Sequence, residues 1–437
     1  MTETVVSRAN TRMEQSHPSS FWHTFCDMNA VSQKPKFVVS RAEGVWLWDE
    51  HGDRYLDGTA SLWYCHVGHG RSEIADAVHQ QLTTLDAYAV YGDFANTPAL
   101  RLSERLASHA PMDNPRTILT CGGGEAIETA AKLARKYWSV SGKPEKTHVI
   151  SRAGGYHGLH GFGTSIIGME RFRSGYGEIV ADTSVVPYDS VRALEDEILR
   201  VGPERTAAFF AEPVIGSGGV YAPPEGYFAA VAELCRRYGV LFVVDSVICG
   251  FGRLGDWFGI ERFGVRPDMI VFAKGVSSGY LPLGGVITSG EVAEPFWERS
   301  GNPFIHGTTY AGHPSCSAAA LANLDILERE DLFGAAEEVE SQLDAAVRML
   351  AEHPLVREVR SGTGAMAAVE LTGEALYERG VTTADVFAEA RSRGVIVRAI
   401  PRSLLVSPPL TVTWEHIDHL VSTLRAALDA VEERHPR

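Results

Sequence analysis

The chain has 437 residues, 45% of them hydrophobic and 22% charged, the balance of an ordinary soluble globular protein of two to three domains with a large buried core. Its formal net charge of -15 argues against a nucleic-acid surface or an anionic membrane as partner. Six scattered cysteines without a C-x-x-C pair read as reduced thiols, and no run approaches the ~18 consecutive apolar residues of a membrane span, so a cytoplasmic protein is expected.

Residues 1–20 are polar, show no apolar core of a secretory signal, and read as an arm. The segment 44–57, GVWLWDEHGDRYLD, reads as a hairpin about Asp49-Glu50-His51-Gly52. Ser61-Leu62-Trp63-Tyr64 follows, then His66 and His69. This histidine pair has no carboxylate or cysteine at ligand spacing, so packing or pocket lining is expected and no metal. From about residue 70, helical and strand patterns alternate, the signature of an α/β domain with a mostly parallel sheet.

A strand ending at 118–120 runs into Cys121-Gly122-Gly123-Gly124-Glu125. A helix follows, with Ile127, Ala130, Ala131, Ala134 and Trp138 on one face. Glycines at a helix N-terminus let backbone N–H groups approach a phosphate, where the helix dipole also favours an anion; a plain glycine-rich turn is the alternative. Further on, 151–158 (SRAGGYHG) presents Tyr156 and His157 on a flexible loop, and 207–212 (AAFFAE) is a buried strand ending in Glu212. GFGRLG at 250–255 matches G-x-G-x-x-G, but no long small-residue helix opens after it. It is therefore rejected as a dinucleotide fingerprint, and a nicotinamide dehydrogenase using it is kept only as a rival reading.

Two continuous apolar runs, 238–245 (YGVLFVVD) and 269–273 (MIVFA), read as buried parallel strands. The first ends in Asp245 and the second is followed at once by Lys274. Burial disfavours an ammonium and makes the neutral amine available as a nucleophile, which is what a Schiff-base lysine needs. Pyridoxal phosphate asks for this pair: a lysine for its aldehyde, and a carboxylate that keeps its ring nitrogen protonated. The bland alternatives are a strand-end lysine reaching into water and a structural ion pair.

Beyond residue 327, long amphipathic helices are expected over 332–353 and 414–435, the latter with Ile417, Leu420, Val421, Leu424, Leu428 and Val431 on one face. Strands at 365–371 and 395–400 and a helix at 382–393 lie between them. This gives a smaller α/β layer to which the N-terminal hairpin contributes. The expected division is 1–64 (arm and hairpin, part of the small domain), 65–328 (large domain) and 329–437 (the rest of the small domain).

The ordered motifs GGGEAIETAAKLAR, GGYHG, AEPVIGSGG, DSVICGFGRLG, FAKGVSSGYLPLGG and HGTTYAGHP together resemble the class III (ω-amino acid) pyridoxal-phosphate aminotransferases. The resemblance covers nearly the whole chain. It implies the fold-type I architecture, with a mostly parallel sheet flanked by helices in the large domain and a smaller α/β domain made from both chain ends. It implies that Lys274 is the Schiff-base lysine and proton shuttle, Asp245 the ring-nitrogen partner, and Val247 and Tyr156 the residues on either face of the ring. His157 belongs to the same cofactor set, and Glu212 stands near the ring hydroxyl. The backbone of Gly123 and Gly124 would hold the phosphate, and Thr309 would reach the phosphate of the other subunit of a homodimer.

Three positions distinguish this chain within that resemblance. Gly124 stands where a hydroxyl residue is usual, so a phosphate hydrogen bond is missing and weaker cofactor retention is expected. Ser246 stands where glutamate is usual, and as the neighbour of Asp245 it should face away from the ring. Ser217 stands where α-ketoglutarate-using members often carry a glutamate that holds a mobile arginine. The pattern is more similar to the amine:pyruvate branch, in which Arg398 would meet a substrate carboxylate and Trp63 and Tyr91 would line the amine pocket. The activity implied is transfer of an amino group from an amine or ω-amino acid to a keto acid, with pyruvate expected. The alternatives are an aminomutase or racemase on the same fold, or a binding protein with impaired turnover.

Overall fold

Strand-forming runs without a polar face build the centre of this computed structural model, which describes residues 20–436. The arm expected over 1–20 lies, Ser20 apart, outside the described residues. Three strands come first, β1 (Val39–Glu43), β2 (Trp46–Asp49) and β3 (Arg54–Asp57). Next are β4 (Arg116–Thr120), β5 (His148–Arg152), β6 (Thr183–Val186), β7 (Thr206–Ala211), β8 (Leu241–Asp245), β9 (Met269–Phe272) and β10 (Gly284–Thr288). The last are β11 (Val356–Arg360), β12 (Ala367–Leu371), β13 (Val395–Ile396), β14 (Arg398–Ala399) and β15 (Ser403–Val406).

Strands β4 to β10 form one sheet in the order β4-β10-β9-β8-β7-β5-β6. β10 runs antiparallel to both neighbours, and the other pairs are parallel. Every residue of β5, β7, β8, β9 and β10 is buried, as expected where helices cover both faces. Period-two alternation divides each strand between the two cores: Leu241 and Val243 pack with the Gly123–Val140 helix, Phe242 and Val244 with the opposite layer. The predicted face of that helix, Ile127, Ala130, Ala131, Ala134 and Trp138, is buried throughout.

The chain ends meet in two smaller sheets, β1-β2-β3-β13 and β11-β12-β15-β14. The predicted hairpin is β2 and β3, with Leu47 opposite Tyr55. All six predicted face residues of the Trp414–Arg434 helix are buried.

Two expectations need correction, and one strand was not foreseen. The strand expected over 395–400 is two: β13 pairs parallel with β3, β14 pairs antiparallel with β15, and the chain changes sheets at Val397. Gly58 permits this, because its N–H donates to Ile396 O at 2.9 Å and a Cβ there would lie 2.6 Å from the same oxygen. The apolar run 238–245 is not one strand either. Tyr238 ends the Tyr227–Tyr238 helix, Gly239 caps it at φ 61°, and the strand begins at Leu241. β1 was not foreseen, since four of its five residues are exposed and no apolar alternation marks it.

Candidate active site

A cavity of about 700 Å³ opens where the parallel strands β5, β7, β8 and β9 end, the usual ligand position in an open α/β sheet. Asp245 is the last residue of β8, and Lys274 stands one residue beyond the neighbouring β9. Lys274 adopts φ 50°, a left-handed conformation rare for a side chain that is not glycine, asparagine or aspartate. Its backbone is held from behind by His66, whose ring would lie 2.5 Å from a Cβ on Gly275.

The loop after β5 was expected to be flexible, but two buried carboxylates pin it. Tyr156 N–H donates to Glu212 Oε1 at 2.9 Å, and His157 Nδ1 donates to Asp245 Oδ2 at 2.8 Å. Glu212 also accepts from Gly216 N–H at 3.1 Å, and Asp245 Oδ1 accepts from Val247 N–H at 3.1 Å. His157 and Asp245 are both buried, and His157 Nε2 is left without a partner.

Burial is the main influence on Lys274, Glu212, Tyr156 and Arg398. It lowers the Lys274 amine, against the pull of Asp245 and Glu212, and Arg398 adds to the lowering. Burial raises Glu212, helped by Asp245 and opposed by His157 and the two backbone donors. It raises the Tyr156 phenol, with Arg398 opposing. It lowers Arg398, opposed by Tyr156 and reinforced by Arg171.

Of the residues singled out from the sequence, Lys274, Asp245, Glu212, Tyr156, His157 and Val247 line this one cavity. Gly123, Gly124, Trp63 and Arg398 line it as well. Thr309 and Tyr91 do not: Tyr91 is 53% exposed and Thr309 is exposed too. They share one outer surface, since the Tyr91 ring would lie 3.6 Å from a Cβ on Gly307. Tyr91 is therefore no wall of the cavity of its own chain. Ser246 faces away as expected; its hydroxyl is buried, unpartnered and absent from the cavity wall.

Sequence reasoning passed over His160, Leu62, Phe25 and Arg171. Leu62 and Phe25 line the cavity although both are largely exposed, and no local pattern marks such residues. His66 packs under the lysine turn, and His69 pairs with Asp57 at 2.9 Å. Among the described residues no group of three or more His, Cys, Asp or Glu could hold a metal ion, and no helix is long and apolar enough to cross a membrane.

The donor set fits pyridoxal phosphate. A half-buried lysine and a buried carboxylate flank the cavity from adjacent strands. The first N–H groups of the 18-residue Gly123–Val140 helix have no intrahelical acceptor and face it. Gly123 leaves Val247 free to stand against that turn, since a Cβ there would lie 3.1 Å from Val247 Cγ1.

The family model described as "Aminotransferase class-III" matches residues 28–428. The chain belongs to the class III aminotransferases. Their cofactor is pyridoxal phosphate and their architecture is that of fold-type I. The chain is 37% identical to a putrescine–pyruvate aminotransferase of Pseudomonas aeruginosa over 93% of each protein. It is 36% identical to a diaminobutyrate–2-oxoglutarate transaminase of Halomonas elongata over 92% of each. Among solved structures, an (S)-enantioselective omega-transaminase from Thermomicrobium roseum is 38% identical, with a TM-score of 0.90 over 94% of this chain and 96% of that one. The G-x-G-x-x-G match in GFGRLG thus belongs to an aminotransferase.

Proposed function

We propose that this class III aminotransferase transfers the amino group of an amine or ω-amino acid to pyruvate, as a cytoplasmic homodimer whose active sites are shared. The observation that carries the choice of acceptor is the pairing of Ser217 with Arg398. The main influences on the Arg398 guanidinium are burial, Tyr156 and Arg171, with no carboxylate among them. Ser217, buried and in the same cavity wall, offers none. An arginine so placed is free to take a substrate carboxylate through two hydrogen bonds. The two relatives named above use different keto acids, so kinship by itself does not choose between them.

Pyridoxal phosphate supplies the electron sink that lets a proton leave the amine-bearing carbon. In this reading Lys274 takes that proton on its Nζ and returns it, a task suited to an amine whose ammonium form burial disfavours. Asp245, held by His157 and Val247, holds the charge of the protonated ring nitrogen. Val247 and Tyr156 would contact the two ring faces, Glu212 would order the hydroxyl side, and the amides of Gly123 and Gly124 would bind phosphate. Trp63 lines the amine pocket. Tyr91 and Thr309, exposed together on one surface, serve the cavity of the second subunit, Thr309 at its phosphate. The division into 65–328 and a smaller unit of 1–64 with 329–437 belongs to the same reading.

A screen of amine donors against pyruvate and α-ketoglutarate, followed as two separate half-reactions, tests the proposal. Return of the amino-loaded enzyme to its starting form should be much faster with pyruvate. Faster return with α-ketoglutarate would overturn the assigned acceptor, and product formation within one substrate without any keto acid would indicate an aminomutase.

A further inference from the structure

We infer that His160 is a phosphate-binding residue of this enzyme, supplying by an imidazole the side-chain contact that Gly124 lacks. The inference rests on pyridoxal phosphate binding at the Gly123–Gly124 turn. A Cβ built on Gly124 would lie 3.1, 3.2 and 3.3 Å from Cε1, Nδ1 and Nε2 of His160. The ring thus covers the side-chain direction of Gly124, at the position a serine hydroxyl would occupy.

Two further contacts hold it there. Gly158, at φ 80°, presses its loop on the same turn, and a Cβ on it would lie 3.1 Å from Gly124 Cα. Glu128, one helical turn beyond Gly124, accepts from the backbone N–H groups of Phe162 and Gly163, the latter at 3.3 Å. The segment that carries His160 is therefore clamped at both ends to the helix whose first turn faces the cavity. His160 lines that cavity together with Gly123, Gly124 and Lys274. Neither ring nitrogen has a hydrogen-bond partner among the described residues.

The chemistry suits a phosphate monoester. A neutral imidazole offers one N–H donor and an imidazolium two with a positive charge, against an acceptor-only dianion. The glycine and the histidine are consequently one device. A β-carbon at 124 would push the ring aside, and without the ring the phosphate would have only backbone amides on that side.

The test uses the holoenzyme of wild type, His160→Ala, His160→Gln and the double variant Gly124→Ser/His160→Ala. Three quantities are read: the rate at which pyridoxal phosphate leaves under dilution, the ³¹P shift of the bound cofactor, and the affinity for pyridoxal, which lacks the phosphate. His160→Ala should release the cofactor about ten- to a hundredfold faster, the loss expected for a hydrogen bond to a charged group, and should move the ³¹P resonance. Its affinity for pyridoxal should stay as in wild type. The double variant should recover retention, and Gly124→Ser alone should gain none while the ring is in place. His160→Gln should keep part of the contact, and it gives a reading should the alanine variant fold poorly.

Unchanged release and ³¹P shift would overturn the assignment, as would an equal loss of affinity for pyridoxal and its phosphate, which marks a structural histidine. Failure of the wild-type protein to bind pyridoxal phosphate would instead sink the cofactor reading beneath it.

Discussion

Replacing His157 by phenylalanine isolates the one side-chain hydrogen bond that Asp245 receives among the described residues. The 2.8 Å contact from Nδ1 to Oδ2 lies between two buried groups, and once it is gone Asp245 keeps only the Val247 amide at 3.1 Å. A hydrogen bond to a charged group contributes about 1.5–3 kcal/mol, and the Asp245 carboxylate loses that support in the variant. A carboxylate less firmly held is a poorer partner for a protonated ring nitrogen. The amine half-reaction should therefore slow by about ten- to a hundredfold. The assay is single-turnover loss of cofactor absorbance after mixing with excess amine, across a pH series. Asparagine can place an amide N–H where Nδ1 stands, so His157→Asn should recover part of the rate. A phenylalanine variant within roughly threefold of wild type at every pH, well short of what a charged hydrogen bond contributes, would refute the reasoning.

Lys274→Ala should abolish multiple turnover, since the proton transfer alone is worth ~10²–10⁴ in rate; a variant within roughly tenfold of wild type would sink the assignment. Arg398→Ala should slow the pyruvate half-reaction by about ten- to a hundredfold and leave reaction with a simple arylalkyl amine near wild type, with Arg398→Lys recovering only part. Equal losses in both half-reactions would make Arg398 a structural residue. Burial raises Glu261 from 4.5 to about 7, so the folded chain holds an extra proton between those values and stability falls as pH rises through that window. Glu261→Gln keeps an acceptor for Phe258 N–H, 3.1 Å away in the parent, and removes the charge. Urea unfolding should show it more stable than wild type at pH 8, by at most ~3 kcal/mol, and nearly equal to it at pH 5; no gain at pH 8 would contradict the buried charge.

Much of the site was legible because its residues sit where strands stop. Apolar runs that end in Asp245, Lys274 and Glu212 announce both the buried strand and the polar group at its mouth, and parallel pairing then brings the mouths together. Tyr156 and His157 follow another such end, although only the folded contacts show that Glu212 and Asp245 immobilise them. The split between β13 and β14 was not legible. Its cause is Gly58, far away in sequence, whose missing side chain lets Ile396 O approach its backbone N–H. Nor did the end of the Tyr227–Tyr238 helix show, since buried helix and buried strand have the same apolar composition. Thr309 stands in a quoted motif and Tyr91 in none, and neither position foretells that both lie off the cavity wall of their own chain. His160 escaped because its meaning depends on an absent side chain at Gly124, a relation no local pattern carries.

The pairing of β13 with β3 also bears on how the molecule is made. A chain emerging from the ribosome presents β3 early and its partner only when nearly all of the sequence has been synthesised. Until then β3 has an open edge, and β1, β2 and β3 must wait without the strand that completes their sheet. Lys274, Asp245 and Glu212 depend on no residue beyond β10 for their strand pairing, so that wall of the cavity can assemble first. Arg398 comes two residues after the last contact of β13 and is delivered by the same closing step. Arg398 is thus the final part of the cavity wall to arrive, and a chain cut short before Val395 would retain the lysine wall while losing Arg398 and exposing β3.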